Sequence, residues 1–320
     1  MSVMRVWRMT AKGGTACCAA AALMIGGCVA SQPRDAEPLS WDSVWLDVQT
    51  IRAAGTTFAW AELGSGSPLL LLNGTASPMN EWDPAFLAEL ATQHRVIIFD
   101  YPGLGASGEA PSTWNFDSAA DWVSDFLSQV SPGAPVDLLG WSMGGFIAQR
   151  LAVRHPTDVR ALVLAGTNPG GSQAVLGPQW AQDIDSNSSS DADYLRTNYP
   201  DGERAAGQRF LQRLTEAIDS GAYPASETPD ATQDAMVAAE DPWLESDANI
   251  GDLRRIAVPT LVITGSQDII TPPINSRRLA GLIPGAQLVV VPNAGHSFVF
   301  QEPATVAALI TDFLTSTRTR

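Results

Sequence analysis

From about residue 42 onward, short apolar runs alternate with stretches in which apolar residues recur every three or four positions. Pro68–Leu72 (PLLLL), Arg95–Phe99 (RVIIF), Val136–Leu139 (VDLL), Val159–Leu164, Thr260–Thr264 (TLVIT) and Gln287–Val291 (QLVVV) are nearly continuous in apolar character. Such runs predict strands, with Pro68–Leu72 and Arg95–Phe99 buried ones covered on both faces. The intervening stretches read as helices. Asn80–Gln93 gathers Trp82, Phe86, Leu87 and Leu90 on one side, and Phe116–Val130 repeats apolar residues at helical spacing. Further helices are expected over Phe146–Arg154, Ile274–Leu282 and Pro303–Leu314. Ahead of them, Val44–Ile51 and Thr57–Leu63 predict two strands about a Gly55 turn. Strands alternating with helices imply an α/β fold: a mainly parallel central sheet with helices on both faces.

The alternation breaks over about residues 170–247. This stretch contains a polar SNSSSDADY segment, several Gly and Pro residues, and one clear amphipathic helix around Phe210, Leu211, Leu214 and Ile218. It reads as a cap inserted into the domain. The cap aromatics Trp180, Tyr194, Tyr199, Phe210 and Trp243 are candidates either for a pocket wall or for packing within the cap.

Composition narrows the possible chemistry. The 320 residues carry a formal net charge of −15, with 45% hydrophobic and 17% charged residues. An acidic chain is a poor partner for nucleic acid, which is bound through many Lys and Arg contacts to phosphate. The sole lysine is Lys12 and the three cysteines are Cys17, Cys18 and Cys28, so the body of the protein has neither residue type. A Schiff base, a P-loop lysine, a thiolate nucleophile and a disulfide are thereby excluded there. The three histidines, His94, His155 and His296, lack metal-ligand spacing, and neither a metal nor a cofactor is expected.

The first 30 residues read as an address. Arg5, Arg8 and Lys12 precede a short apolar stretch (TACCAAAALMI), followed by Ile25-Gly26-Gly27-Cys28. A basic start, a short apolar core and small residues before a cut describe a secretory signal. The small residues before Cys28 resemble the bacterial lipobox, which implies a signal peptide over 1–27, lipid attachment at Cys28 and a linker over 28–41. The expected location is extracytoplasmic, tethered to a bacterial membrane by that lipid.

The chemical signal lies in Gly140-Trp141-Ser142-Met143-Gly144-Gly145, which follows the VDLL strand and precedes a helix. This is the context of a G-x-S-x-G nucleophile elbow, where a sharp strand-to-helix turn strains the serine and leaves no room for side chains two residues away. A serine hydroxyl needs a base. His155 sits at a helix end before Pro156, where an interaction with free helix carbonyls is expected. His94 is expected at the surface in a polar turn. His296, in the Asn293–Ser297 loop after QLVVV, lies at the carboxyl end of a strand, the edge where sites collect in parallel sheets. Asp268, in the loop after TLVIT, is the candidate for orienting the imidazole. The chain order is then Ser142, Asp268, His296.

Together, GWSMGG, the loop Asp100–Ser107 (DYPGLGAS, similar to a D-x-R-G-x-G-x-S pattern), GSQD and NAGH resemble the α/β-hydrolase superfamily, in its esterase-like branch. The resemblance runs from about residue 44 to the C-terminus, giving a domain over 42–320 with its cap. It implies that the backbone amides of Thr75 and Met143 form an oxyanion hole. The chain has Asn73-Gly74 where the family usually has His-Gly, and Pro102 where the loop pattern has Arg.

The resemblance implies a serine hydrolase that cleaves carboxylic esters or related acyl bonds, with a small-molecule ester or acyl substrate. Serine at the elbow argues against relatives that use aspartate. Acyl transfer and peptide cleavage use the same triad and stay open. The reading from another class is a non-catalytic member of the fold that binds a ligand at the cell surface.

Overall fold

The structure, a computed structural model, describes residues 40–187, 190–226 and 228–318. The expected signal peptide, Cys28 and nearly all of the expected linker lie outside the described residues.

Eight strands form one sheet: β1 Gln49–Ala53, β2 Thr56–Leu63, β3 Ser67–Leu72, β4 His94–Phe99, β5 Val136–Trp141, β6 Val159–Ala165, β7 Thr260–Gly265 and β8 Gln287–Val291. Their order is β1-β2-β4-β3-β5-β6-β7-β8. β1–β2 and β2–β4 are antiparallel, and every later pair is parallel. The β1–β2 turn is the residue pair Ala54-Gly55 with φ of 51° and 79°. Two positive φ values match the twist of a hairpin.

The first strand begins later than the sequence predicts, at Gln49 rather than Val44. Val44 and Leu46 are nonetheless buried. The Leu46 amide donates to the Ala222 carbonyl of the inserted segment at 2.9 Å, so the alternating pattern there records packing against the cap.

The helices of the main layers are α1 Pro84–Ala91, α2 Phe116–Val130, α3 Met143–Arg154, then α10 Ile274–Leu282, α11 Phe298–Gln301 and α12 Pro303–Arg318. Asp83 caps α1 by accepting from the Ala85 amide at 2.9 Å, with Pro84 in the first turn. Asn115 caps α2 by accepting from the Ser118 amide at 2.8 Å. Such caps satisfy donors that a helix leaves orphaned. One apolar cluster joins α1, α11 and α12 to the sheet, and a second joins α2, α3 and α10 to its other face. Along α2, Phe116, Ala119, Trp122, Val123, Phe126, Leu127 and Val130 are all buried. Burying a large apolar side chain contributes roughly 1.5–3 kcal/mol, so this stripe fixes the helix.

Between β6 and β7 the chain inserts α4 Gln179–Asn187, α5 Asp191–Asn198, α6 Arg204–Asp219, α7 Asp230–Ala238, α8 Glu240–Glu245 and α9 Ala248–Leu253. The sequence predicts only α6 with clarity. The others are short, and their mixed polarity hides the helical period. On α6, Phe210, Leu211, Leu214 and Ala217 belong to the apolar cluster that contains Trp82, Phe86, Trp141 and Phe300. Phe210 stacks on Phe300 with centroids 4.6 Å apart and planes 5° apart. This helix is thus part of the core.

Two histidines depart from expectation. His94 is the first residue of β4 and is fully buried, although Thr92 and Gln93 of the turn before it are exposed. Its Nδ1 lies 3.3 Å from Nη2 of Arg318, whose guanidinium also reaches Asp137. Burial, with the Arg318 and Arg160 charges, pushes the imidazole down to about 4. His155 turns to Asp121 of α2 at 2.6 Å rather than to helix carbonyls, because Asp121 offers a full charge one helix away.

Candidate active site

Ser142, Asp268 and His296 follow β5, β7 and β8 at the same carboxyl edge of the sheet, and the Asn73–Ser77 loop follows β3 beside them. α3 begins at Met143, not at Phe146 as the pattern suggested, so Ser142 itself joins strand to helix. Its backbone has φ 54° and ψ −124°, a region costing a non-glycine residue on the order of 1–3 kcal/mol. The elbow has no slack. A Cβ on Gly140 would lie 2.4 Å from the Gly144 carbonyl oxygen, and one on Gly144 would lie 2.0 Å from that of Leu72.

The structure brings the three side chains together. His296 Nε2 lies 3.1 Å from Ser142 Oγ, and His296 Nδ1 lies 2.9 Å from Asp268 Oδ2. Asp268 and His296 are each 2% exposed, which excludes water from the imidazole–carboxylate pair. The other Asp268 oxygen, Oδ1, accepts from the Ile270 and Thr271 amides at 2.9 and 2.8 Å. The carboxylate therefore has little freedom to turn. The indole of Trp141 donates to the His296 carbonyl at 3.2 Å, pinning the histidine loop to the elbow.

Sequence reasoning did not single out Thr271. Its Oγ is 2.9 Å from Asp268 Oδ2, 2.8 Å from the Gly166 carbonyl and 3.2 Å from His296 Nδ1. The only available signal was its position three residues after the acid.

The loop after β3 lies against the serine. A Cβ on Gly74 would meet the Trp141 ring at 3.1 Å and Ser142 Cβ at 3.6 Å. Asn73 shapes this loop from within: its Nδ2 donates to the Pro78 carbonyl at 2.9 Å and its Oδ1 accepts from the Gly74 amide at 3.0 Å. Tyr101 donates to the Asn73 carbonyl at 3.2 Å. Thr75 lies in this loop and shares the cavity wall with Ser142, and Met143 is the first residue of α3. The first amides of a helix have no partner within it.

Asp100 of the DYPGLGAS loop is structural. It accepts from the Met79 amide at 2.7 Å and the Ala106 amide at 3.0 Å, tying its loop to the one after β3. Burial raises its carboxyl to about 6.

A cavity of about 220 Å³ opens onto Ser142 and His296. Cap residues form much of its wall, including Leu176, Tyr194, Phe210, Leu214 and Leu244. Of the other cap aromatics, Trp243 is buried between Phe116 and Phe146 and donates to Asn168. Tyr199 is buried behind the wall, and Trp180 is exposed beneath the Arg196 guanidinium.

A family model described as the alpha/beta hydrolase fold matches residues 67–303. The chain belongs to the α/β-hydrolase family. A pimeloyl-[acyl-carrier protein] methyl ester esterase of Chromobacterium violaceum is 33% identical over 258 residues, 77% of this chain and 94% of that one. A poly(3-hydroxyalkanoate) depolymerase of Ectopseudomonas oleovorans is 29% identical over 291 residues, 89% of this chain and 95% of that one. An alpha/beta hydrolase fold protein of Chitinophaga pinensis superposes with a TM-score of 0.74 at 24% identity, over 85% of this chain and 98% of that one. Together the family and these relatives make the protein a hydrolase of the α/β fold.

Proposed function

We propose that this α/β hydrolase cleaves carboxylic esters through an acyl-enzyme. The supporting observation is the unbroken line Ser142–His296–Asp268, with separations of 3.1 and 2.9 Å, at the base of the cavity. Ser142 Oγ attacks the ester carbonyl as His296 Nε2 takes its proton. Asp268 holds the imidazole tautomer and stabilises the imidazolium. The tetrahedral oxyanion rests on the Thr75 and Met143 amides, aided by the positive end of α3. On collapse, the C–O bond breaks and His296 protonates the departing alkoxide. Water, deprotonated by the same nitrogen, then attacks the acyl carbon and releases the acid and Ser142. Relatives named as an esterase and a depolymerase support ester substrates.

The test is labelling by a fluorophosphonate together with turnover of 4-nitrophenyl esters of graded length. Wild-type protein should label and turn over, and Ser142→Ala should do neither. An intact protein that neither labels nor hydrolyses any ester of the series would favour the non-catalytic reading.

For the mature protein we propose lipid attachment at Cys28. The support is the basic start and Ile25-Gly26-Gly27 before the cysteine. So acidic a chain gains nothing from anionic headgroups, and stable anchoring takes more than one acyl chain. Mass spectrometry of the N-terminal peptide from bacterial membranes should find an acylated Cys28 as first residue. An unmodified Cys28 still joined to Gly27 would refute it.

A further inference from the structure

The wall of the Ser142 cavity is uneven in charge. Among its described residues there is no Arg or Lys, but there are two acids, Glu81 and Glu240. They come from different parts of the fold and meet the same loop. Glu240 opens α8 of the cap, and its Oε1 accepts from the Thr75 hydroxyl at 2.8 Å. Glu81 ends the short 3-10 turn Met79–Glu81 of the main domain and has the Ser77 hydroxyl as a hydrogen-bond neighbour. Thr75 and Ser77 are both in the loop beside Ser142, so both carboxyls border the volume that an ester's substituents must enter. The remaining polar wall, including Asn198, Gln182 and Gln233, is neutral.

We propose that Glu81 and Glu240 make the cavity charge-selective, so that an ester bearing an ammonium group is taken over its neutral isostere and one bearing a carboxylate is rejected. This rests on the ester-hydrolase reading. Two charges a few ångströms apart in a medium of effective dielectric about 20 interact by several kcal/mol, and even a fraction of that is tenfold in rate. Selectivity of this kind resides in the difference between substrates, and repulsion of the wrong charge contributes to it as much as attraction of the right one.

Glu81 adds a dependence on pH. Burial and the negative charge of Asp100 raise the Glu81 carboxyl to about 7, so its charge develops across neutrality. The other titratable groups around it are Asp100 behind the loop, with Glu240, Tyr194 and His296 across the cavity. Titration of His296 alters turnover of every substrate alike and cancels in a ratio of substrates.

The experiment compares kcat/KM for butyrylcholine, for its uncharged isostere 3,3-dimethylbutyl butyrate, and for the anionic mono-3,3-dimethylbutyl succinate, at pH 6 and pH 8.5 in low salt. The cation should exceed the neutral ester on the order of tenfold at pH 8.5 and by less at pH 6, with the anion slowest. Glu81→Gln should flatten the pH dependence of the cation-to-neutral ratio, and Glu81→Gln with Glu240→Gln should bring it near one. A ratio near one in the wild type at pH 8.5, or one that the double variant leaves unchanged, would overturn the proposal. A parallel calorimetric titration of Ser142→Ala with choline and with 3,3-dimethylbutanol needs no turnover. Tighter choline binding with no ester hydrolysed by the wild type would overturn the ester reading alone, and equal binding would overturn the charge selectivity.

Discussion

Arg213 holds Asp83 by two hydrogen bonds, Nε to Oδ1 at 2.8 Å and Nη2 to Oδ2 at 2.5 Å. Asp83 also caps α1, so one buried carboxylate serves both the main domain and the cap helix α6. Arg213→Met would leave that carboxylate without its counter-charge. Breaking a buried pair from one side costs about 3–5 kcal/mol. The variant should unfold at clearly lower denaturant concentration, and Arg213→Met with Asp83→Asn should recover part of the loss. A single variant as stable as wild type would show that the pair does not hold the cap.

The three residues at the carboxyl edge should fail as a unit. Ser142→Ala should stay folded while ester turnover falls by roughly 10⁴-fold or more. His296→Ala should lose about as much, and the double variant no more. Asp268→Asn should also cost rate, through the wrong imidazole tautomer. Steady-state kinetics on a 4-nitrophenyl ester measures all four, and a silent Asp268→Asn would assign the orienting role to another group.

Thr271 is expected to act through the pair it touches. Without its hydroxyl, Asp268 would become a stronger acceptor and His296 more basic. Thr271→Val should therefore lower kcat by about tenfold and move the acidic limb of the kcat/KM profile to higher pH, and Thr271→Ser should restore both. A pH profile superimposable on wild type would reduce Thr271 to a packing residue.

His94 should make the fold acid-sensitive. Its imidazole is held down to about 4 in the folded chain, against about 6.5 when unfolded. Below 6.5 the unfolded chain takes up a proton that the folded chain refuses, so stability falls as pH drops from about 6.5 toward 4. The loss from this group is up to about 3 kcal/mol. Urea unfolding at pH 7 and pH 4.5 should show it, and His94→Gln should narrow the gap between the two pH values.

Where burial was complete, the sequence was easy to read. The strands PLLLL, RVIIF and TLVIT stand within a residue or so of their expected places, because a strand covered on both faces has no polar position to blur it. QLVVV is the edge strand, with Gln287 and Leu288 exposed, and was legible from its apolar run alone. Ser142, Asp268 and His296 were legible because each follows an apolar strand, and strand ends of one parallel sheet share an edge. Contacts made between distant segments were not legible. Nothing local marks the meeting of His94 with Arg318 or that of Glu240 with Thr75. The same holds for Val44 and Leu46, whose alternation suggested a strand while their burial depends on residues near 222.

The strained turn at Ser142 sets heat resistance against chemistry. Glycine would take φ 54° and ψ −124° without penalty, so Ser142→Gly should melt higher than the wild type while hydrolysing nothing. A search for tougher variants that never assays turnover would favour that change early and return a sturdier protein without its nucleophile.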